Sequence, residues 1–160
     1  MNQHCACVCG ASHFRVAGDP IGRFFCHCTI CREIYRKPFA DVTYFWAGSV
    51  TLPPNQPIEF RRYRPPPAMR RGTCAKCGNP VLSLLGRGLA LAFVPSQNFP
   101  RPGELPAPDR HIFYDRRVAD ISDNIPKISG YWASEVHVTS RFSPGFLYEH
   151  ALSDRAAREI

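Results

Sequence analysis

Cys26-His27-Cys28-Thr29-Ile30-Cys31 places three thiols within six residues. A soft divalent ion such as zinc takes thiolates at about 2.3 Å, and closely spaced ligands converge at little loop-closure cost. The stretch therefore reads as a metal-binding turn. Three sulfurs leave a tetrahedral ion one position short, as a catalytic or substrate-binding centre requires; a distant residue closing the site is the alternative. His27 sits between ligands, but adjacent side chains on a turn point apart, so it is expected to be a bystander.

Moving outward, Cys74-Ala75-Lys76-Cys77-Gly78 is a C-x-x-C turn whose glycine lets the chain bend close to sulfur. Cys7-Val8-Cys9-Gly10 is its natural partner, because two ligand pairs from distant segments would close a four-thiolate structural site. A redox role for Cys74 and Cys77 is the rival, although no thioredoxin-like βαβ pattern surrounds them. Cys5 is left over: it could replace Cys7 by a register shift, complete the three-cysteine site, or remain a free thiol. His4, His13, His111, His137 and His150 make no H-x-x-x-H pair, which argues against a finger-type site.

The rest of the chain supplies the frame. At 160 residues, with 44% hydrophobic and 21% charged residues, it reads as one globular domain. Met1 to Val8 carries no basic flank before an apolar run, so cytoplasmic residence is expected. In that reducing compartment eight cysteines favour metal over disulfides. No apolar run reaches the roughly 20 residues of a membrane span. Sixteen prolines disfavour long helices, so short strands and loops should dominate. Strands are predicted over Phe14–Val16, Val42–Trp46, Ile58–Tyr63, Val81–Leu85, Leu89–Val94 and His111–Tyr114, the fourth and fifth forming a buried hairpin across Gly86-Arg87-Gly88. Pro95 to Pro108, with five prolines, is expected to be an extended surface loop. The tail from Ala151 is helix-permissive, with Ser153 able to cap it.

The formal charge is +7, carried by 17 Arg and 3 Lys, with basic patches at Arg61-Arg62-Tyr63-Arg64 and Met69-Arg70-Arg71. Clustered cations invite a nucleic-acid reading. Seven zinc-bound thiolates and two divalent ions would lower the charge to +4, however, leaving a solvated surface that balances anionic metal centres.

These motifs, in this order, resemble the glutathione-dependent formaldehyde-activating enzyme (GFA) family, whose domain type centromere protein V shares. The resemblance rests on Cys7-Val8-Cys9-Gly10, Cys26 to Arg32, Pro38-Phe39, Cys74 to Pro80 and a closing segment from His111-Ile112 to Ile125-Pro126. It implies a mostly β, single-domain, tent-like zinc fold over residues 4–132, with residues 133–160 a C-terminal extension, partly helical or mobile. It also implies two zinc ions per chain: a structural one on Cys7, Cys9, Cys74 and Cys77, and a catalytic one on Cys26, Cys28 and Cys31. Where the family commonly has a small residue and Gly after the central motif, this chain has Tyr35-Arg36; Thr73 stands where an aromatic often precedes the knuckle. These changes are expected to reshape the pocket.

A zinc ion bearing three thiolates carries net negative charge and acidifies water less than a three-histidine site does. The soft open centre suits an incoming thiol or aldehyde better. The family resemblance implies carbon–sulfur bond making or breaking, with S-hydroxymethylglutathione as the namesake adduct, and the expected function is therefore a carbon–sulfur lyase acting on small thiol adducts of that kind. Glutathione or a relative would be the thiol, and Arg32 would either contact substrate or form an ordinary salt bridge. A zinc-stabilised nucleic-acid-binding or interaction module without catalysis is the alternative.

Overall fold

In a computed structural model, residues 1–63, 69–86 and 91–139 of the chain are described. Ten short strands and two short helices follow one another. Strands β1 (Asn2–Ala6), β2 (His13–Ala17) and β3 (Gly22–Cys26) precede helix α1 (Thr29–Tyr35). Then come β4 (Ala40–Trp46), β5 (Val50–Thr51), β6 (Ile58–Arg61), β7 (Met69–Cys74), β8 (Pro80–Leu85), β9 (Leu91–Pro95), β10 (His111–Ile112) and helix α2 (Tyr131–Thr139). The protein is mostly β, as its proline content and short apolar runs predict. No helix among the described residues is long and apolar enough to cross a membrane.

The strands form a three-stranded sheet, β1-β2-β5, and a seven-stranded sheet in the order β10-β3-β4-β9-β8-β7-β6. Among the described residues the strands pair antiparallel except β10 beside β3, and an isolated parallel bridge joins His111 to Lys127. Alternation along the central strands divides the core in two, since successive side chains point to opposite faces. On one face Phe45, Leu82 and Val94 pack with Phe14, Val16 and Cys5 of the small sheet. On the other, Phe24, Val42, Tyr44 and Phe93 pack with Cys26, Cys28 and Phe113. Cys26 ends β3 in step with Phe24, so its sulfur belongs to this second face.

The expected hairpin is present, with Ser83 opposite Phe93 and Leu85 opposite Leu91. Part of its connection (87–90), Arg64 of the basic patch and the tail with Ser153 lie outside the described residues. Two expectations need correction. The strand predicted over His111–Tyr114 stops at Ile112, because Phe113 adopts a left-handed conformation (φ 53°) and Tyr114–Arg116 form a 3-10 turn. The Phe113 N–H donates to Ser134 Oγ at 2.9 Å, fixing that turn against α2. The segment from Pro95 to Pro108 is no simple surface loop. It contains 3-10 turns at Ser96–Asn98 and Pro102–Glu104, and buries Asn98, Phe99 and Leu105. Phe99 stacks on Phe45 with centroids 5.8 Å apart, while Asn98 Nδ2 donates to the carbonyls of Pro80 and Val81 at 3.0 Å. Apolar and amide side chains at these positions outweigh the prolines around them.

Candidate metal centres and cavity

Two turns bring the first set of sulfurs together. The Gly10 N–H donates to the Cys7 carbonyl and the Gly78 N–H to that of Cys74, at 2.8 and 2.7 Å. Both glycines have positive φ, 73° and 70°, a region that a side chain disfavours. The four sulfurs of Cys7, Cys9, Cys74 and Cys77 lie within 4.8 Å of one another, with Cys7–Cys9 at 3.3 Å and Cys9–Cys74 at 3.8 Å. Sulfurs held at about 2.3 Å on a tetrahedral ion would be roughly 3.8 Å apart, so this all-thiol set fits zinc. The Cys74 thiol is held down at about 6: burial opposes its ionisation but is outweighed by the Ser12 hydroxyl and the N–H groups of Cys77 and Lys76.

The second set is Cys26, Cys28 and Cys31, whose sulfurs also lie within 4.8 Å of each other. Among the described residues no further Cys, His, Asp or Glu donor joins them. Cys26 comes from the end of β3, and Cys28 caps α1, its sulfur accepting the Cys31 N–H at 3.3 Å. Hydrogen bonds from the Cys26 and Cys31 thiols, helped by that N–H and by Arg71, hold Cys28 down at about 3. The same contacts and burial push Cys26 well above its ordinary value. At Cys31 the Cys26 bond pulls down, but the bond to Cys28, burial and the Cys28 charge prevail and raise it to about 12. The cluster is therefore poised to carry one thiolate, and a cation must supply the rest of the driving force for deprotonation.

Cys5 joins neither set. It is buried on β1 beneath the four-thiol site, and burial pushes its thiol up to about 12, which makes it an inert core residue. His27 points away from the thiols. Its Nε2 meets His111 Nδ1 at 2.8 Å, and His111 Nε2 meets Asp123 Oδ2 at 3.0 Å. Because a carboxylate accepts, His111 donates through Nε2 and receives the His27 Nε2 proton at Nδ1. Burial, then the neighbouring His111 ring and the Arg32 cation, lowers His27 to about 4, which favours its neutral form. With the His27 backbone N–H donating to the Ile112 carbonyl at 3.0 Å, this pair of imidazoles ties the thiol turn to β10.

A partly open cavity of about 160 Å³ adjoins the three thiols, and all three cysteines line it. Its floor is the second face of the large sheet. Phe24 pairs with Val42, while Arg71, Ser83 and Phe93 lie in one cross-sheet row. Leu85 and Leu91 follow in the next row. Ile34 and Tyr35 of α1 and Tyr131 and Val138 of α2 complete the walls. Among the described residues the charged lining groups are Arg71, Arg116 and Glu135. Arg32 lies outside this lining, and its Nε is buried without a hydrogen-bond partner. Arg71, legible in the sequence only as part of a basic patch, is the arginine that bears on both Cys28 and Cys31. Its placement depends on the register of β7 with β8, which no local signal announced.

Of the two departures after the central motif, Tyr35 lines the cavity and Arg36 does not. Arg36 terminates α1 in a left-handed conformation (φ 52°, ψ 40°), donating its N–H to the carbonyls of Arg32 and Glu33. A glycine is at home there. The basic patches face each other across β6 and β7, with Arg61 opposite Arg71. Arg61 bonds Glu59 at 3.0 Å, Arg70 lies over Phe60 and Arg71 over Tyr63. Compared with known families, residues 2–116 match the model described as glutathione-dependent formaldehyde-activating enzyme. No curated protein matches the chain.

Proposed function

Because the chain belongs to the glutathione-dependent formaldehyde-activating enzyme family, we propose that it is a zinc-dependent carbon–sulfur lyase acting on small thiol–aldehyde adducts, the class that includes S-hydroxymethylglutathione. The observation that carries this reading is the pairing of a three-thiol cluster, one donor short of a tetrahedron, with a cavity that opens onto it. Cys7, Cys9, Cys74 and Cys77 would hold a structural ion, and Cys26, Cys28 and Cys31 the ion at the reacting centre. When bound, the latter supplies a Lewis-acidic position open to a ligand.

The reaction is an addition and its reverse. A thiol sulfur bonds to the carbonyl carbon, the carbonyl π pair moves to oxygen, and the thiol proton ends on that oxygen; no oxidant or reductant is consumed. This chain's own residues contribute in three ways. The cavity holds sulfur and carbonyl carbon together, which removes translational freedom before reaction. Its phenyl and aliphatic floor limits water on one side of the reacting atoms and strengthens charge interactions near the thiols. Arg71 offers a fixed positive charge where negative charge develops.

Exchange NMR with isotopically labelled formaldehyde and glutathione tests the proposal directly. Metal-replete protein should accelerate exchange between free aldehyde and adduct, and Cys28→Ser should abolish the acceleration. Exchange at the uncatalysed rate with this pair, and equally with longer alkyl thiols and aldehydes, in protein with both sites filled would overturn it.

A further inference from the structure

Resting on that reading of the site, we infer that the substrate adduct carries an apolar body of about six carbons, and that this body occupies the cavity beside Cys26, Cys28 and Cys31. The walls carry the inference. Phe24, Val42, Leu85, Leu91 and Phe93 supply most of the floor on the strands, interrupted by Ser83 and Arg71, and Val138 lines the cavity from α2. Phe24 and Phe93 meet edge to face at 6.3 Å, leaving ring carbon rather than polar atoms exposed to an occupant.

Glutathione alone is a poor match for these walls. It brings two carboxylates, an ammonium and two peptide groups, and each loses water on entering an apolar space. Among the described residues the charged lining groups are Arg71, Arg116 and Glu135, which could meet only part of that demand. A hydrocarbon body has the opposite balance, gaining with every methylene removed from water. Size agrees as well: apolar cavities of about 150 Å³ take up benzene, and this one measures about 160 Å³. A methylol group by itself would leave most of that space empty.

The hydrocarbon could enter on the sulfur or on the carbonyl carbon, because both reacting atoms meet at the thiol end of the cavity. Calorimetric titration of metal-replete protein with ethanethiol, butanethiol, hexanethiol and glutathione tests the shared chemistry without requiring turnover. Affinity should rise about fourfold per methylene along the alkyl series. Hexanethiol should bind at least tenfold more tightly than glutathione. Ile34→Trp and Val138→Trp, which fill the cavity from two different helices at partly exposed positions, should each flatten the series, and either variant suffices if the other fails to fold. A flat series in the unaltered protein, or glutathione binding as tightly as hexanethiol, overturns the inference.

Exchange measurements then assign the source. Hexanal with glutathione outpacing formaldehyde with hexanethiol places the body on the carbonyl; the reverse places it on the thiol. Formaldehyde with glutathione as the fastest pair counts against the inference while leaving the lyase reading intact. A steep alkyl series without turnover of any adduct sinks the lyase reading and leaves the apolar site standing.

Discussion

Replacing Arg36 by glycine should stabilise the protein. The residue ends α1 at φ 52°, ψ 40°, and its N–H bonds to two carbonyls of the last turn, so the helix cannot end this way unless position 36 stays left-handed. For a residue with a Cβ that conformation costs about 1–2 kcal/mol. Glycine escapes the cost but surrenders about 0.5–1 kcal/mol through its freer unfolded chain. The net gain is about 0.5–1 kcal/mol. The Arg36 guanidinium also rests near Gly78, its Nη2 lying 3.2 Å from where a Cβ there would stand, so removing the side chain has its own effect. Arg36→Ala loses the same side chain and keeps the strain, which makes it the proper reference. Thermal unfolding of the two variants, at matched metal content because bound metal raises apparent stability, should put Arg36→Gly about 1–4 °C above Arg36→Ala. Equal melting temperatures, or alanine above glycine, would refute the claim that helix termination strains this position.

Elemental analysis of protein purified without chelator should give two zinc ions per chain; a reproducible single equivalent with the remaining thiols freely titratable would remove the three-thiol metal site. Cys74→Ser should unfold the protein or lower its melting temperature severely, since a structural zinc contributes on the order of 10 kcal/mol of apparent binding energy to folding. Cys28→Ser should keep most stability and lose activity, and equal melting losses in the two would contradict the division of roles. Phe45→Ala should cost about 3–5 kcal/mol in urea unfolding, because this ring is fully buried between the sheets and stacks on Phe99. A loss below about 1 kcal/mol would contradict its place in that core.

The thiol groupings were legible because cysteine spacing encodes them almost directly. Two short turns, each followed by a glycine that the backbone holds at positive φ, leave little choice of partners. Strand β4 was legible for a similar reason, since Val42 to Trp46 is dense in β-branched and aromatic residues. Strands β1 and β7 were not. Asn2–Ala6 buries Gln3 and Cys5 in alternation with polar neighbours, and Met69–Cys74 reads as Arg-rich and glycine-broken. Their pairing comes from β2 and β8, which supply hydrogen-bond ladders that no local propensity reveals. Gly72 shows the same dependence: a Cβ there would stand 2.8 Å from Ile58 and 2.9 Å from the Phe60 ring, a demand visible only once β6 lies beside it. Helix α1 escaped notice because its cap is the sulfur of Cys28, where sequence reading looks for Ser, Thr, Asp or Asn. The cavity was hidden for the same reason as β7: its floor is assembled from alternate residues of five strands, and only register puts Arg71 in line with Phe93.

Strand β6 ends the large sheet, and among the described residues nothing pairs with its outer side. An open edge offers unsatisfied amides and carbonyls to any other chain, and such edges seed aggregation unless something discourages a visitor. Here Glu59 and Arg61 are exposed on the edge strand itself, Arg62 follows it, and Arg70 is exposed on the next strand. A second copy approaching edge to edge would have to strip water from these charged side chains. The arginines that suggest a polyanion partner thus also act as a fence, keeping a seven-stranded sheet from growing into a larger one.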